Sequence, residues 1–269
     1  TDEWTQHETS FTLAGGALPM DNMQQAAGDG PWHVEWVFDD GYRFRALSPD
    51  QSGETVFVGD GWGQRDHRNS DVGATLPYIV REIRSAGSHA FVSVFAGAPD
   101  GQFPVEAVRV LDAPGDAVAV EIDTADGTDV VVSMIGSQDL SITTSRGELR
   151  ANGRVAAVLA SGAASMTGGT RLSLGDTSLS ADQATYAGDV AGRGSEGGDS
   201  WFDLSGDLPE HILGQTLLIT DGDHIRAYPI RGLDDLETGL RVFTKVDHVG
   251  FEARDGDTYE FLPTVTGGG

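Results

Sequence analysis

Cysteine is absent from the 269-residue chain, and lysine nearly so: Lys245 is the only one, and every other cation is an arginine. Without cysteine there are no disulfides and no thiolate metal ligands. Long apolar runs are missing as well. No stretch of about 18 apolar residues is available to span a membrane, and no secretory signal pattern occurs. Basic clusters are absent, whereas binding to a phosphate backbone draws on clustered Lys and Arg and the counterions they release. Nucleic acid and anionic membrane surfaces are therefore not expected partners. Histidines occur at 7, 33, 67, 89, 211, 224 and 248, with no two at the short spacing of a zinc-ligand pair. The acidic turns "DGDH" and "DGDT" lack the Asp ladder of a calcium loop. Neither a metal nor a cofactor is expected. The G-x-S-x-G elbow of an α/β hydrolase is also missing, since Ser161 and Ser165 lie in "ASGAAS" without that frame. A glycosidase's paired acids are not recognisable by spacing among so many carboxylates.

What the chain has in excess is acid. Forty-two Asp and Glu against seventeen Lys and Arg leave a formal charge of -25, far beyond the magnitude of about 2–8 that suits a small soluble domain. Molar salt shortens the Debye length to about 3 Å, so crowded surface carboxylates stop repelling one another while keeping the protein hydrated. The expectation is a protein of a salt-loving organism; an ordinary acidic secreted protein would keep more lysine. A few well-placed arginines still suffice for a local positive groove, so an acidic polysaccharide is compatible with this charge.

Apolar residues make up 39% of the chain, enough for a substantial core at this length. Their period is two. "AFVSVFA" (90–96) sets Phe91, Ser93 and Phe95 against Val92 and Val94; "VEAVRVL" (105–111), "AVAVEIDT" (117–124) and "DVVVSMI" (129–135) follow as strands. "AGAPDGQ" and "DAPGD" supply turns. Hairpins are predicted around Asn152-Gly153, Asp221-Gly222 and Asp255-Gly256, dipeptides that tolerate the positive φ of tight turns. "DNMQQAAGDG" (21–30) and "DLPEHILGQ" (207–215) offer a single helical turn each, and no segment sustains a helical stripe. The expected class is all-β: a large antiparallel β-sandwich of the supersandwich kind with few or no helices. A glycine-rich seam at 187–201 divides a main sandwich, 1–190, from 191–269, which is either its continuation or a small β subdomain. The abrupt start "TDEWTQHETS" and the "TGGG" end lead us to expect a fragment of something longer.

The segment "FVGDGWGQRDHRNSDVGATLPYIVREIR" (57–84) concentrates the candidate chemistry. Its G-x-G-x-G spacing, with no helix following, does not suit a dinucleotide site and reads instead as a backbone bulge around Trp62. "QRDHRNSD" (64–71) has two readings. Asp66 and Asp71 can brace the loop through Arg65 or Arg68. Alternatively the loop meets a sugar: the indole of Trp62 stacks on a pyranose, Arg65 pairs with a uronate or sulfate, Asn69 bonds hydroxyls, and His67 stands nearest to neutral pH as a base. In "PWHVEWVFDDGYRF" (31–44), Trp32, Val34 and Trp36 alternate with His33, Glu35 and Val37, so the tryptophans are expected in the core, with an open groove wall as the lesser reading.

"GDGWGQRDHRNSDVGATLPYIVRE", followed by "GSHAFVSVFAG", resembles the β-rich C-terminal part of heparinase II/III-like polysaccharide lyases, in which an apolar strand ending in arginine precedes a glycine turn and an F-x-S-V-F strand. The tail "DHIRAYPIRGL…FTKVDHVGFEA" is similar in flavour to their terminal strands. The resemblance implies the β-sandwich of an enzyme that cleaves uronate-containing polysaccharide by β-elimination, beside an N-terminal helical toroid as its partner. It implies an extracellular or cell-surface setting. This chain has no toroid, where most of the family's catalytic residues lie, so no catalytic residue is carried over and the fragment is not expected to be active alone. Trp62, Arg65, His67, Asn69 and Tyr78 are the expected sugar contacts. The rival expectations are a non-catalytic carbohydrate-binding or adhesion module, and a purely structural domain.

Overall fold

A computed structural model of the chain describes residues 4–9, 14–15, 20–38, 40–63, 73, 75–99, 101–136, 138–196, 199–206, 208–209, 212–244 and 257–268. Among these every regular element is a β-strand. The first eleven are β1 (Trp4–Thr9), β2 (Ala14–Gly15), β3 (Asp21–Ala27), β4 (Trp32–Phe38), β5 (Arg43–Ser48), β6 (Glu54–Trp62), β7 (Thr75–Ile83), β8 (Val94–Ala98), β9 (Val105–Leu111), β10 (Ala117–Thr124) and β11 (Gly127–Met134). Then come β12 (Leu140–Thr144), β13 (Gly147–Ala151), β14 (Val155–Val158), β15 (Ala164–Thr167), β16 (Arg171–Leu174), β17 (Thr177–Ser180), β18 (Tyr186–Glu196), β19 (Asp199–Leu204), β20 (Thr216–Asp221), β21 (His224–Leu236), β22 (Gly239–Thr244), β23 (Thr258–Phe261) and β24 (Thr264–Gly267). The expected all-β class is what the chain adopts, and the strands predicted at 105–111 and 117–124 coincide with β9 and β10. The single helical turn expected in 21–30 is instead β3, and β8 begins at Val94 rather than Ala90.

The chain divides into two compact units, one of residues 1–111 and 120–129, the other of 112–119 and 130–269. In the first, an antiparallel sheet of order β1-β4-β5-β8 and another of order β2-β3-β6-β7 share a core. Trp32, Val34 and Trp36 of β4 and Ala46 of β5 meet Val56 and Val58 of β6, with Phe44 and Ile79 packed alongside. Period-two alternation places these residues on the facing sides of the two sheets.

In the second unit, β12-β13-β16-β17 form one sheet and β24-β15-β14-β11 run antiparallel in another. Strands β18-β19-β22-β21-β20-β23 close into a barrel. Its interior holds Phe202, Leu204, Leu217, Ile219, Tyr228, Ile230, Val242, Tyr259 and Phe261, a lumen filled by side chains as expected of so few strands. The hairpin expected around Asp221-Gly222 joins β20 to β21: Asp221 pairs with His224, and Gly222, at φ +56°, opens the two-residue turn.

The hairpin expected around Asn152-Gly153 does not form. β13 pairs with β12 and β16, whereas β14 pairs with β11 and β15, so Asn152-Gly153 carries the chain from one sheet to another. The Asn152 side chain explains the crossing. Its Oδ1 accepts hydrogen bonds from the backbone N–H of Thr170 (2.8 Å) and of Arg171 (3.0 Å), and its Nδ2 donates to Thr170 Oγ1. Asn152 brackets a neighbouring connection instead of turning its own strand back. β22 pairs with β19 and β21, and β23 with β18 and β20, while residues 245–254, which precede the expected Asp255-Gly256 turn, lie outside the described residues. Asp255-Gly256 itself lies outside the described residues.

Candidate functional site

Strands β6 and β7 pair without a register shift from Glu54↔Ile83 to Trp62↔Thr75, so the connection carrying the predicted contacts leaves from the end of this ladder. Arg65, His67 and Asn69 lie outside the described residues, as does the side chain of Trp62. Tyr78 is described. It stands on β7, the edge strand of its sheet, 39% exposed and two residues from the exposed Leu76.

The glycines before Trp62 do not make the expected bulge. β6 is regular, and the irregularity lies in its other neighbour, between Asp21 and Gln24 of β3, where Asn22 takes φ +52° and donates Nδ2–H to Asp60 Oδ2 at 2.7 Å. Gly59 is needed there because a Cβ would stand 3.1 Å from Asp21 O and from Met23 Cε. Gly61 has another role: a Cβ on it would be 2.5 Å from Cδ2 and Cε2 of Tyr78. The Tyr78 ring therefore lies across the bare backbone of Gly61, making a flat aromatic surface on the outer side of the sheet.

The arginine that ends "LPYIVRE" turns inward. Arg81 Nε pairs with Glu54 Oε1, NH1 donates to Val92 O at 2.6 Å and to Ser93 Oγ at 2.9 Å, and NH2 donates to Gln51 Oε1 at 3.1 Å. Its guanidinium stands 5.3 Å from the Trp32 ring and 5.1 Å from that of Phe91. The indole of Trp32 donates to the other Glu54 oxygen at 3.1 Å. Buried and bonded on all sides, this pair ties the 90–93 segment to the sheet and is not available to a ligand.

In "PWHVEWVFDDGYRF" the expected core reading is the one the tryptophans follow. Trp32 and Trp36 are in the core, at 4% and 5% exposure. Phe38, Tyr42 and Phe44, farther along the same face, are half-buried, and Phe95 of β8 joins them at 62% exposure. The Phe44 and Phe95 rings stack with centroids 5.9 Å apart and planes 9° apart. The opposite face of β4 buries Glu35, which pairs with Arg43 at 2.9 Å and with Arg45 at 2.7 Å, while Arg45 caps Phe103. Nothing in the hydropathy pattern separates a ring that caps a core from one that overhangs it; the only local sign was Gly97, opposite Phe44.

Chemistry of other kinds is thin. Among the described residues no group of three or more His, Asp or Glu converges as a metal site. No helix among them is long and apolar enough to cross a membrane. Ser85 Oγ lies 2.7 Å from His89 Nε2, but both sit on an exposed turn, and no described carboxylate orients the imidazole as nucleophilic catalysis requires. Tyr78 and Phe95 are exposed aromatic rings among the described residues. Compared with known proteins, the chain matches no family model and is similar to no curated sequence.

Proposed function

We propose that this chain is the recognition part of a carbohydrate-active protein of a salt-rich, extracellular or cell-surface setting: an all-β module that holds an acidic polysaccharide against the outer edge of β7. The proposal includes the resemblance to heparinase II/III-like lyases, with this chain as sandwich scaffold and the elimination chemistry supplied by a helical toroid. One observation carries it. Tyr78 is a half-exposed aromatic ring laid flat on Gly61 at a sheet edge, the arrangement by which an aromatic face stacks on the apolar side of a pyranose. Arg65 and Asn69, expected on the connection after Trp62, would bond the carboxylate and hydroxyls of such a sugar.

The test is equilibrium binding of uronate hexasaccharides in molar KCl to the chain and to its Tyr78→Ala variant. An affinity loss of about three- to tenfold is expected from removing one stacking ring. Unchanged affinity would refute the site. The net charge of -25 gives a second signature. Global repulsion between protein and polyanion is screened by salt, so uronate affinity should rise from dilute to molar KCl. The chain alone should produce no unsaturated-uronate absorbance.

A further inference from the structure

A second aromatic surface lies on the first unit, away from the outer face that carries Tyr78. Phe95 is the most exposed aromatic ring of the described residues, and its inner face is backed by Phe44 in a nearly parallel stack. Beside it, the hydroxyl of Tyr42 lies against Gly97, so close that any Cβ there would clash with it. Gly97 is the cross-strand partner of Phe44, so the phenol and the stacked rings share one side of the sheet. The Tyr42 hydroxyl has no hydrogen-bond partner among the described residues.

The turn that presents Tyr42 is pre-organised. Phe38 N donates to Tyr42 O, Gly41 N donates to Phe38 O at φ +84°, and Tyr42 N donates to Asp40 Oδ1, each at 2.9 Å. The second carboxylate oxygen of the exposed Asp40 is left to solvent. Phe38 leans against Tyr42 with ring centroids 5.5 Å apart. The ledge therefore offers a backed aromatic plane and a phenol hydroxyl able to donate and accept, with the Asp40 carboxylate as an acceptor on the turn that carries Tyr42.

We propose that this ledge, with Phe95 as the stacking plane and Tyr42 and Asp40 as hydroxyl partners, binds a neutral pyranose. An apolar partner would leave the Tyr42 hydroxyl and the Asp40 carboxylate unmatched, and a uronate would bring its carboxylate toward Asp40; a neutral sugar matches both the ring face and the acceptors. The ledge shares a ligand class with the β7 site but none of its side chains.

The experiment is calorimetric titration of the full chain in molar KCl with mannohexaose and xylohexaose, against a uronate hexasaccharide. Binding of a neutral hexasaccharide, weakened about three- to tenfold by Phe95→Ala and at least threefold by Tyr42→Phe, with Tyr78→Ala at wild-type affinity, is the expected result. Should Phe95→Ala lower the melting temperature, Tyr42→Phe decides, since it removes only one oxygen from a partly exposed ring. No neutral-sugar binding, or wild-type affinity in Tyr42→Phe and in a folded Phe95→Ala, overturns the proposal. Loss of uronate binding in Tyr78→Ala alone belongs to the β7 site, so either proposal can fail without the other.

Discussion

At Gly61 under Tyr78, at Gly194 under Trp201 and at Gly97 against the phenol end of Tyr42, a missing side chain makes room for an aromatic one. None of the three has a positive φ, so alanine is allowed by the backbone and excluded only by the ring. Gly61→Ala is therefore expected to destabilise by about 1–2 kcal/mol through overpacking, and the cost should vanish when Tyr78 is also replaced by alanine. Urea melts of the double-mutant cycle measure this; additive costs would mean that the ring does not rest there. A second recurring device is an arginine clamped between a carboxylate and an aromatic face. Arg45 joins Glu35 to Phe103, Arg81 joins Glu54 to Trp32, and Arg241, forked to Asp203 at 2.6 and 2.9 Å, lies 3.8 Å from the centre of the Trp201 ring. An ammonium offers neither a fork nor a plane, so Arg241→Lys should cost on the order of 1 kcal/mol despite keeping its charge, read as a lower urea midpoint. At Asp123, the hydrogen bonds from Arg109, aided by Thr128, hold the carboxyl below the usual carboxylate range. A depressed folded-state pKa gives stability that is present above the unfolded value of about 3.9 and lost as pH falls through the folded one. The stability difference between the wild type and Asp123→Asn should thus persist at pH 7 and shrink below pH 4, as followed by thermal melts.

At the scale of elements, local signals and long-range ones parted company. Turns whose residues serve only their own strands were legible: Gly222 folds β20 onto β21 as the dipeptide pattern predicts, and the alternation at 105–111 and 117–124 marks β9 and β10 to the residue. Asn152-Gly153 has the same local chemistry but spends its side chain on Thr170 and Arg171, a partnership that no window around 152 contains. Closure of the barrel is similarly hidden, because it depends on the pairing of Tyr186 with Phe261 across intervening strands. The candidate site was half legible. Tyr78 was named from the strand it stands on, but its bed on Gly61, and the inward turn of Arg81 three residues on, follow from cross-strand register that the one-dimensional pattern does not carry. Asn152→Ala should cost about 1–3 kcal/mol, because the N–H groups of Thr170 and Arg171 lose a shared acceptor; the urea midpoint is the readout. Within the barrel, burial raises the Tyr228 phenol above its ordinary range, with Arg226 opposing. A raised folded-state pKa means stability that is whole below the unfolded value of about 10 and lost as pH climbs toward the folded one. Tyr228→Phe should therefore flatten the alkaline fall in melting temperature.

Across the whole molecule the acids outnumber the bases by 42 to 17, and the structure shows where many of the few cations go. Arg43, Arg45 and Arg81 are committed to buried carboxylates, and Arg146 donates to the carbonyls of Val158 and Leu159. The remaining acidic surface repels itself, so the melting temperature should climb steeply between dilute buffer and molar KCl; equal stability in both would contradict the salt-loving origin expected from the composition. The clamped arginines respond to salt differently. Their oxygens and nitrogens are 2.6–3.1 Å apart for Glu35–Arg45 and Asp203–Arg241, comparable with the screening length of about 3 Å in molar electrolyte. No mobile ion fits between such partly buried partners, so the electrolyte that quiets the surface screens these clamps much less. The protein thus divides its electrostatics by distance: attraction kept too short for much screening, repulsion left long enough to be screened by molar electrolyte.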